Sequence, residues 1–398
     1  MSSPSPTITM IVNSPGEVST FVRPVAAELA RRHPHWRREI ALVPCPYATG
    51  AEAEVIRGWD LAQQVWSPWQ TTLRWARGEG QGPGVVCFLG GDPWHALLWK
   101  HRFRVPAVAY FSEPTSWENT RWWGGFDRIL RGYRPPGGEP TDDFAGDLRV
   151  DAVLARLAEH PPRSCTAGRP TLALFPGSRW LHLKASLGPF LHVVDRLHHQ
   201  DPGRRFLLSV SPFVSRERFA QAAARPFALG LASSCGEVRG ELLHTQGGAT
   251  VELVWGDPYR VIAECDLALS LPGTNTAELA IAGKPTVIPL SDRAPVGGAG
   301  LLGLLDRLPG MERLKHHLKY RKYRRLKLLA LPNQLAGRVV MPEFFVRDDL
   351  SDLFDFLSQL LENAAELRRI GEEARQVMGP PGAAARFVQT VETVLEKG

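Results

Sequence analysis

One unit repeats along this chain: a short apolar run, a tight turn, then apolar residues at helical spacing. Thr7 to Val12 is such a run and Asn13-Ser-Pro-Gly-Glu17 its turn; Val18, Phe21, Val22, Val25 and Leu29 then recur on one helical face. Glu39–Pro44, Gly84–Gly91, Val105–Phe111 and Phe126–Leu130 continue the series. Short, continuously apolar strands that alternate with helices belong to a parallel sheet covered on both faces. Composition shifts to Pro and Gly at Pro135–Pro140, and a second series follows: Thr171–Phe175, Arg205–Val210, Thr250–Val254, Asp266–Ser270 and Pro285–Pro289. The pattern predicts two doubly wound, Rossmann-like α/β domains, residues 1–155 and 168–345, with a ligand crevice where strand C-termini face each other. Residues 346–398 read as a helical tail rich in Leu, Glu and Arg, broken at Pro380-Pro381-Gly382.

Charge is concentrated in one place. The 398 residues carry Lys+Arg 47 and Asp+Glu 41, a formal +6. Arg313, Lys315, Lys319, Arg321, Lys322, Arg324, Arg325 and Lys327 occupy one stretch with no acid among them; without it the chain would be slightly acidic. A single basic patch suggests an anionic partner, either phospholipid or nucleic acid, with a solvated helix face as the plain alternative. No recognition motif accompanies it, which lowers the case for nucleic acid. No apolar run of about 18–20 residues is present, so membrane contact would be peripheral. The start, Met1-Ser-Ser-Pro-Ser-Pro6, lacks the charged and apolar regions of a signal peptide, and the five scattered cysteines lack metal spacing. A reducing, cytoplasmic setting without a metal is the expectation.

Four turns carry candidate chemistry. Cys265 to Gly283 reads as strand, glycine loop, helix: Gly273 permits close approach, and Thr274, Asn275 and Thr276 offer amide and hydroxyl donors to an anionic diphosphate. Glu278, a turn further on, would accept from ribose hydroxyls or simply complement the helix dipole. Pro176-Gly177-Ser178-Arg179 closes the first strand of the second series, where Arg179 would neutralise a phosphate or stand as a solvated surface Arg. Gly90-Gly91-Asp92-Pro93 closes a buried strand, with Asp92 either a general base or an ordinary helix N-cap before Pro. Glu17, in the first turn, would bind an acceptor or complement the helix that follows.

Read in order, these pieces resemble the lipid-A-disaccharide synthases. Asn13-Ser-Pro-Gly-Glu-Val-Ser19, Gly90-Gly-Asp92, Tyr110-Phe-Ser-Glu-Pro-Thr-Ser-Trp117, Phe144-Ala-Gly-Asp147 with Asp151, Pro176-Gly-Ser-Arg179, Gly273-Thr-Asn-Thr-Ala-Glu278, and Leu331-Pro-Asn-Gln-Leu-Ala-Gly-Arg338 with Pro342-Glu343 follow the family's order from about residue 8 to 345. The resemblance implies an inverting glycosyltransferase of the GT-B fold, with C-terminal helices that brace the first domain. A UDP-sugar would be donor, UDP-GlcNAc or an acylated derivative, and a lipid-linked molecule the acceptor. By the same resemblance Asp92 and Glu17 are catalytic. Gly177, Ser178, Arg179, Gly273, Thr274, Asn275, Thr276, Glu278, Asn333 and Gln334 bind the UDP-sugar. Arg321, Lys322, Arg324 and Arg325 meet the inner face of the cytoplasmic membrane. No cofactor or metal is implied, no nucleic acid is expected, and a homodimer stays open.

The departures cluster on the acceptor side. Val18-Ser19-Thr20-Phe21 replaces the family's Ala-Ser-Gly-Asp, Ser112-Glu-Pro-Thr-Ser-Trp117 is altered, and the glycine-aspartate segment carries Trp94-His95 in place of the family's second aspartate. Two alternatives follow: a UDP-sugar epimerase of the same fold, or a paralogue that binds nucleotide sugar or membrane without turnover.

Overall fold

The computed structural model describes residues 5–13, 15–45, 50, 52–78, 84–112, 123–133, 143–160, 169–177, 180–212, 214–225, 230–291, 328–346 and 349–397. Chain contacts divide it into two compact units, Met1–Ala155 with Gly379–Gly398, and Arg156–Met378.

In the first unit, β1 (Thr7–Val12), β2 (Arg37–Leu42), β3 (Gln64–Trp66), β4 (Gly84–Phe88), β5 (Ala107–Phe111) and β6 (Arg128–Arg131) form one sheet. Its order is β3-β2-β1-β4-β5-β6, parallel throughout. Alternate residues serve opposite faces. Ile8, Met10, Ile40 and Val85 pack with Val25 and Leu29 of the helix Arg23–Arg32 and Phe387 of the helix Ala383–Lys397. Ile11, Ala41, Val86 and Phe88 pack with Trp99 of the helix Pro93–Phe103 on the other face. The chain winds outward from β1 to β3, then crosses back to begin β4 beside β1. The winding therefore reverses between β1 and β4, the point at which sheets of this kind bind ligands beyond their strand C-termini.

The second unit repeats the plan. Its strands are β7 (Leu172–Phe175), β8 (Phe206–Val210), β9 (Gly236–Arg239), β10 (Leu242–Thr245), β11 (Thr250–Trp255), β12 (Leu267–Ser270), β13 (Thr286–Leu290) and β14 (Glu343–Phe345). The order β14-β13-β12-β7-β8-β11-β10-β9 reverses between β7 and β12. An antiparallel hairpin, β9–β10, extends the β11 edge. The buried Asp195, on the long helix Trp180–Gln200, fastens that hairpin by accepting from the hydroxyls of Ser234 and Thr245.

The C-terminal segment does not behave as one tail. Leu353, Phe354, Leu357 and Leu360 of the helix Ser351–Glu362, with Leu367 and Ile370 of the helix Ala364–Met378, complete the core of the second unit. Of these three helices, the helix Ala383–Lys397 returns to the first unit. The sequence grouped all three by their shared Leu, Glu and Arg-rich helical composition; which core each apolar stripe meets is a tertiary matter.

The returning helix is held at its N-terminus by Asp151, whose carboxylate accepts from the amides of Gly382 (2.6 Å) and Ala384 (2.7 Å). Those amides would otherwise lack partners, and the negative charge meets the positive end of the helix dipole. The same linking segment is fixed by Tyr110, whose buried hydroxyl donates to the Gly146 carbonyl (3.1 Å) and accepts from the Leu148 amide (3.0 Å). Asp151→Ala should lower the unfolding free energy by about 1–2 kcal/mol, read as a reduced urea midpoint. An unchanged midpoint would deny Asp151 its role as the clasp.

Candidate active site

Asp92 lies in the loop that leaves β4, at the reversal point of the first sheet. Its backbone is extended (φ −93°, ψ 121°) and it occupies the N-cap of the helix Pro93–Phe103, with Pro at the first helical position. Its carboxylate nevertheless accepts no hydrogen bond from that helix's amides. Oδ1 is buried and without a hydrogen-bond partner among the described residues.

The chain contains its own comparison for this residue. Gly256-Asp257-Pro258 repeats the tripeptide Gly91-Asp92-Pro93, also between a strand and a helix. Asp257 behaves as the sequence rule predicts, accepting from the Arg260 amide at 3.2 Å as an N-cap. Asp92 does not, so capping explains its position but not its carboxylate.

The turn around Asp92 is built to hold side chains from the segment that follows β1 against its backbone. Gly90 has φ +152° and Gly91 φ +90°, values that favour glycine. A Cβ on Gly90 would stand 2.5 Å from Glu17 Oε2, and one on Gly91 would stand 2.8 Å from the Asn13 side chain. Glu17, Asn13, Gly90, Gly91 and Asp92 therefore share the end of β1 and β4. Directly after Glu17 the chain makes a π-helical turn, Val18–Val22, which keeps Val18, Phe21 and Val22 in the core; the Thr20 hydroxyl donates to the Gly16 carbonyl at 2.7 Å. Such turns occur often beside functional sites, and helical spacing alone does not reveal one.

The second unit places its candidates at the equivalent reversal, between β7 and β12. Gly177 ends β7 with φ +97°; a Cβ there would meet His182 at 3.0 Å and Leu271, from the end of β12, at 3.4 Å. Ser178 and Arg179 lie outside the described residues, as do Arg321, Lys322, Arg324 and Arg325. After β12 the helix Thr274–Ile281 begins with its first residues at the surface. The amides of Thr274 and Asn275 have no carbonyl one turn behind them. Gly273 has no protein atom within 4 Å of the place a Cβ would take, so that backbone face is open.

Two expected nucleotide contacts have their side-chain polar atoms engaged within the chain. Thr276 is fully buried and its hydroxyl donates to the Gly273 carbonyl at 2.7 Å, closing the helix start. Asn333 is fully buried and its amide is saturated within its own segment. Its Oδ1 accepts from the amides of Val340 and Met341, and its Nδ2 donates to the Met341 carbonyl and Glu343 Oε1, all at 2.8 Å. Glu343 also accepts from the amides of Leu329 (3.0 Å) and Ala330 (2.8 Å). The Leu331-Pro-Asn-Gln and Pro342-Glu343 motifs thus form a lock between the helix Leu331–Ala336 and β14. Neighbouring Gln334 is exposed and donates to the Leu329 carbonyl at 3.0 Å.

Glu278 is buried, and its Oε1 accepts from the Tyr259 hydroxyl at 3.0 Å. Tyr259, from the helix Pro258–Glu264 that follows β11, is a residue the sequence did not single out; the guanidinium of Arg156 lies 5.4 Å from its ring centre. Cys87 and Cys265 are buried, and desolvation pushes both thiols up, Cys265 to about 12, so neither provides a thiolate near neutral pH. Among the described residues no His, Cys, Asp and Glu cluster could hold a metal ion, and no helix is long and apolar enough to cross a membrane.

No family model matches the chain. It is similar to lipid-A-disaccharide synthases: 28% identical to that of Syntrophotalea carbinolica over 63% of this chain and 53% of that protein. It is also 28% identical to that of Anaeromyxobacter dehalogenans, over 58% of this chain and 50% of that protein. The chain spans about half the length of the curated relatives it matches. Among solved structures it resembles S. aureus MnaA in a co-structure with UDP (TM-score 0.58, 10% identity, 98% and 97% of the two chains). It resembles Acinetobacter baumannii MurG as well (TM-score 0.54, 12% identity, 98% and 99%). The UDP-GlcNAc 2-epimerase of Neisseria meningitidis, solved with UDP-GlcNAc, is comparable (TM-score 0.53, 12% identity, 98% and 100%). These likenesses establish the fold: two Rossmann-like units of the GT-B type, in a chain that diverges from the lipid-A-disaccharide synthases it resembles.

Proposed function

We propose that this chain is an inverting glycosyltransferase that moves a sugar from a UDP-sugar to a lipid-linked acceptor. The observation that carries the reading is the Asp92 carboxylate, at a sheet reversal with a buried oxygen that has no hydrogen-bond partner among the described residues. A buried, unsatisfied acceptor is destabilising, and such groups persist where function needs them. In this reading the acceptor hydroxyl approaches Asp92 and its oxygen attacks the anomeric carbon. The bond from that carbon to the diphosphate breaks, with its electron pair leaving on UDP.

Negative charge builds on the diphosphate as it departs. The amides of Thr274 and Asn275, the helix dipole behind them and Arg179 would meet it, already in place before the reaction. Glu278, held by Tyr259, would accept from the ribose hydroxyls. The similarity to lipid-A-disaccharide synthases supports a glycolipid acceptor and UDP-GlcNAc or an acylated derivative as donor. The basic residues Arg321, Lys322, Arg324 and Arg325 would hold the chain at an anionic lipid surface, each adding about 1 kcal/mol.

The test is UDP release from UDP-GlcNAc with and without a bacterial total lipid extract. Release that depends on lipid supports transfer. Formation of the epimer without lipid would replace this reading with the epimerase one, and UDP binding with neither product would replace it with a binding role. Glu278→Ala should weaken UDP binding about tenfold by calorimetry, the loss of about one charge-assisted hydrogen bond. An unaltered dissociation constant would remove Glu278 from the nucleotide site.

A further inference from the structure

We propose that the outer face of the helices Pro68–Arg77 and Pro93–Phe103 seats the first unit on an anionic phospholipid bilayer. Trp69, Trp94 and Leu98 enter the boundary between headgroups and acyl chains, and Arg77, Arg102 and Arg104 meet the phosphates. The proposal needs no turnover and concerns a surface other than the basic stretch at Arg321–Arg325.

The two helices form one fixed platform. The Trp75 indole donates from Nε1 to the Leu98 carbonyl at 3.2 Å, and Arg102 Nε donates to the Trp75 carbonyl at 3.3 Å. Gly78 ends the first helix at φ +65°, and a Cβ there would stand 2.1 Å from Arg102 Nη2, so glycine leaves room for that contact. A capping box closes the other end: the Ser67 hydroxyl accepts from the Gln70 amide (3.4 Å) and the Gln70 side chain accepts from the Ser67 amide (2.9 Å). The inner sides are buried, at Thr71 on one helix and at Ala96 and Trp99 on the other.

The outer side is apolar at one end and basic at the other. Trp69 is 72% exposed, Trp94 41% and Leu98 38%. A capped helix that holds an indole this open presents a large apolar surface to water, the mark of a face that meets something else. Trp69 and Trp94 are each the second residue of a helix, beyond the C-terminal ends of β3 and β4, and Trp94 lies two residues past Asp92. Arg77, Arg102 and Arg104 are exposed further along. Neither helix contains Asp or Glu. The cations nearer the core are matched, Lys100 with Asp127 at 2.8 Å and Arg74 with Glu39 at 3.3 Å, so the charge that faces outward is positive.

That combination selects the occupant. Indole rings favour the boundary of a bilayer, where the ring leaves water and the N–H keeps a polar partner, and arginines beside them are drawn to anionic phosphates. A second copy docked through the same face would set these arginines against their own equivalents across a two-fold axis. A bilayer taken on this face brings its headgroups to the loop that holds Asp92, the place where the transferase reading needs a lipid-linked hydroxyl.

Vesicle flotation of the full chain, without any sugar donor, tests this. Wild type should bind vesicles of mixed phosphatidylglycerol and phosphatidylcholine, and bind phosphatidylcholine alone about tenfold less. Trp69→Ser with Trp94→Ser should weaken binding to the mixed vesicles about tenfold or more, and Arg77→Gln with Arg104→Gln about tenfold, with denaturation midpoints kept. Brominated acyl chains should quench wild-type tryptophan fluorescence, and quench it less in Trp69→Phe with Trp94→Phe, a pair that keeps the apolar bulk. Binding and quenching that none of these substitutions alters would overturn the proposal. So would a wild type that ignores vesicles: self-association lost in Trp69→Ser with Trp94→Ser would then make the face a subunit interface, and its absence would leave the face to a protein partner. No readout here depends on sugar transfer, so failure of this proposal leaves the transferase reading standing, and absence of lipid-dependent UDP release leaves this surface standing.

Discussion

Asp92→Asn should lower kcat for lipid-dependent UDP release by about a thousandfold, on the order of 4 kcal/mol of transition-state stabilisation. UDP affinity should stay within about twofold, since the nucleotide candidates belong to the other unit. The same substitution should leave the denaturation midpoint unchanged or raise it. An oxygen buried without a partner is a burden on the folded state, and a neutral amide is easier to desolvate. An ordinary N-cap would behave in the opposite way: turnover kept and stability lost by about 1 kcal/mol. Asp257→Asn offers the control, because Asp257 does cap its helix. The two aspartates, alike in sequence, should separate in both assays.

Asn333→Leu should unfold the second unit more readily by on the order of 3–5 kcal/mol, measured by urea denaturation. Leucine fills a similar volume but makes no hydrogen bond. Its presence would strip partners from the amides of Val340 and Met341 and from the Met341 carbonyl, and would remove one donor from Glu343. Desolvation penalties add to the lost bonds because Asn333 is fully buried. UDP affinity of the folded protein should remain within about twofold of wild type. A ligand-binding Asn333 would give the reverse pattern, a weaker UDP site on a stable fold.

The strands that repeat as continuous apolar runs were legible, because a parallel strand buried on both faces has no room for polar alternation. Thr7–Val12, Gly84–Phe88 and Ala107–Phe111 are of that kind, and every residue in each is buried. β3 and β14 were not, since three residues such as Gln64-Val-Trp66 carry no period. The hairpin β9–β10 escaped for another reason: at a sheet edge its strands are half exposed and carry Glu237, Arg239 and His244.

The candidate site was legible as turns and illegible as roles. Glycine loops after strands mark where backbone must approach a ligand or a side chain, and Gly90, Gly91 and Gly177 do adopt positive φ. A residue's role, however, depends on what its polar atoms already hold. Asn333 offers the same donors and acceptor to a nucleotide as to its own backbone, and Gly-Asp-Pro reads alike at Asp92 and Asp257.

The central claim is transfer of a sugar onto a lipid, and mass spectrometry of the lipid fraction tests it most directly. After incubation with UDP-GlcNAc and lipid extract, a lipid species should gain the mass of one N-acetylhexosamine, in step with UDP formed, and Asp92→Asn should make none. A lipid fraction of unchanged mass, with the UDP-sugar intact or converted to its epimer, would contradict the account.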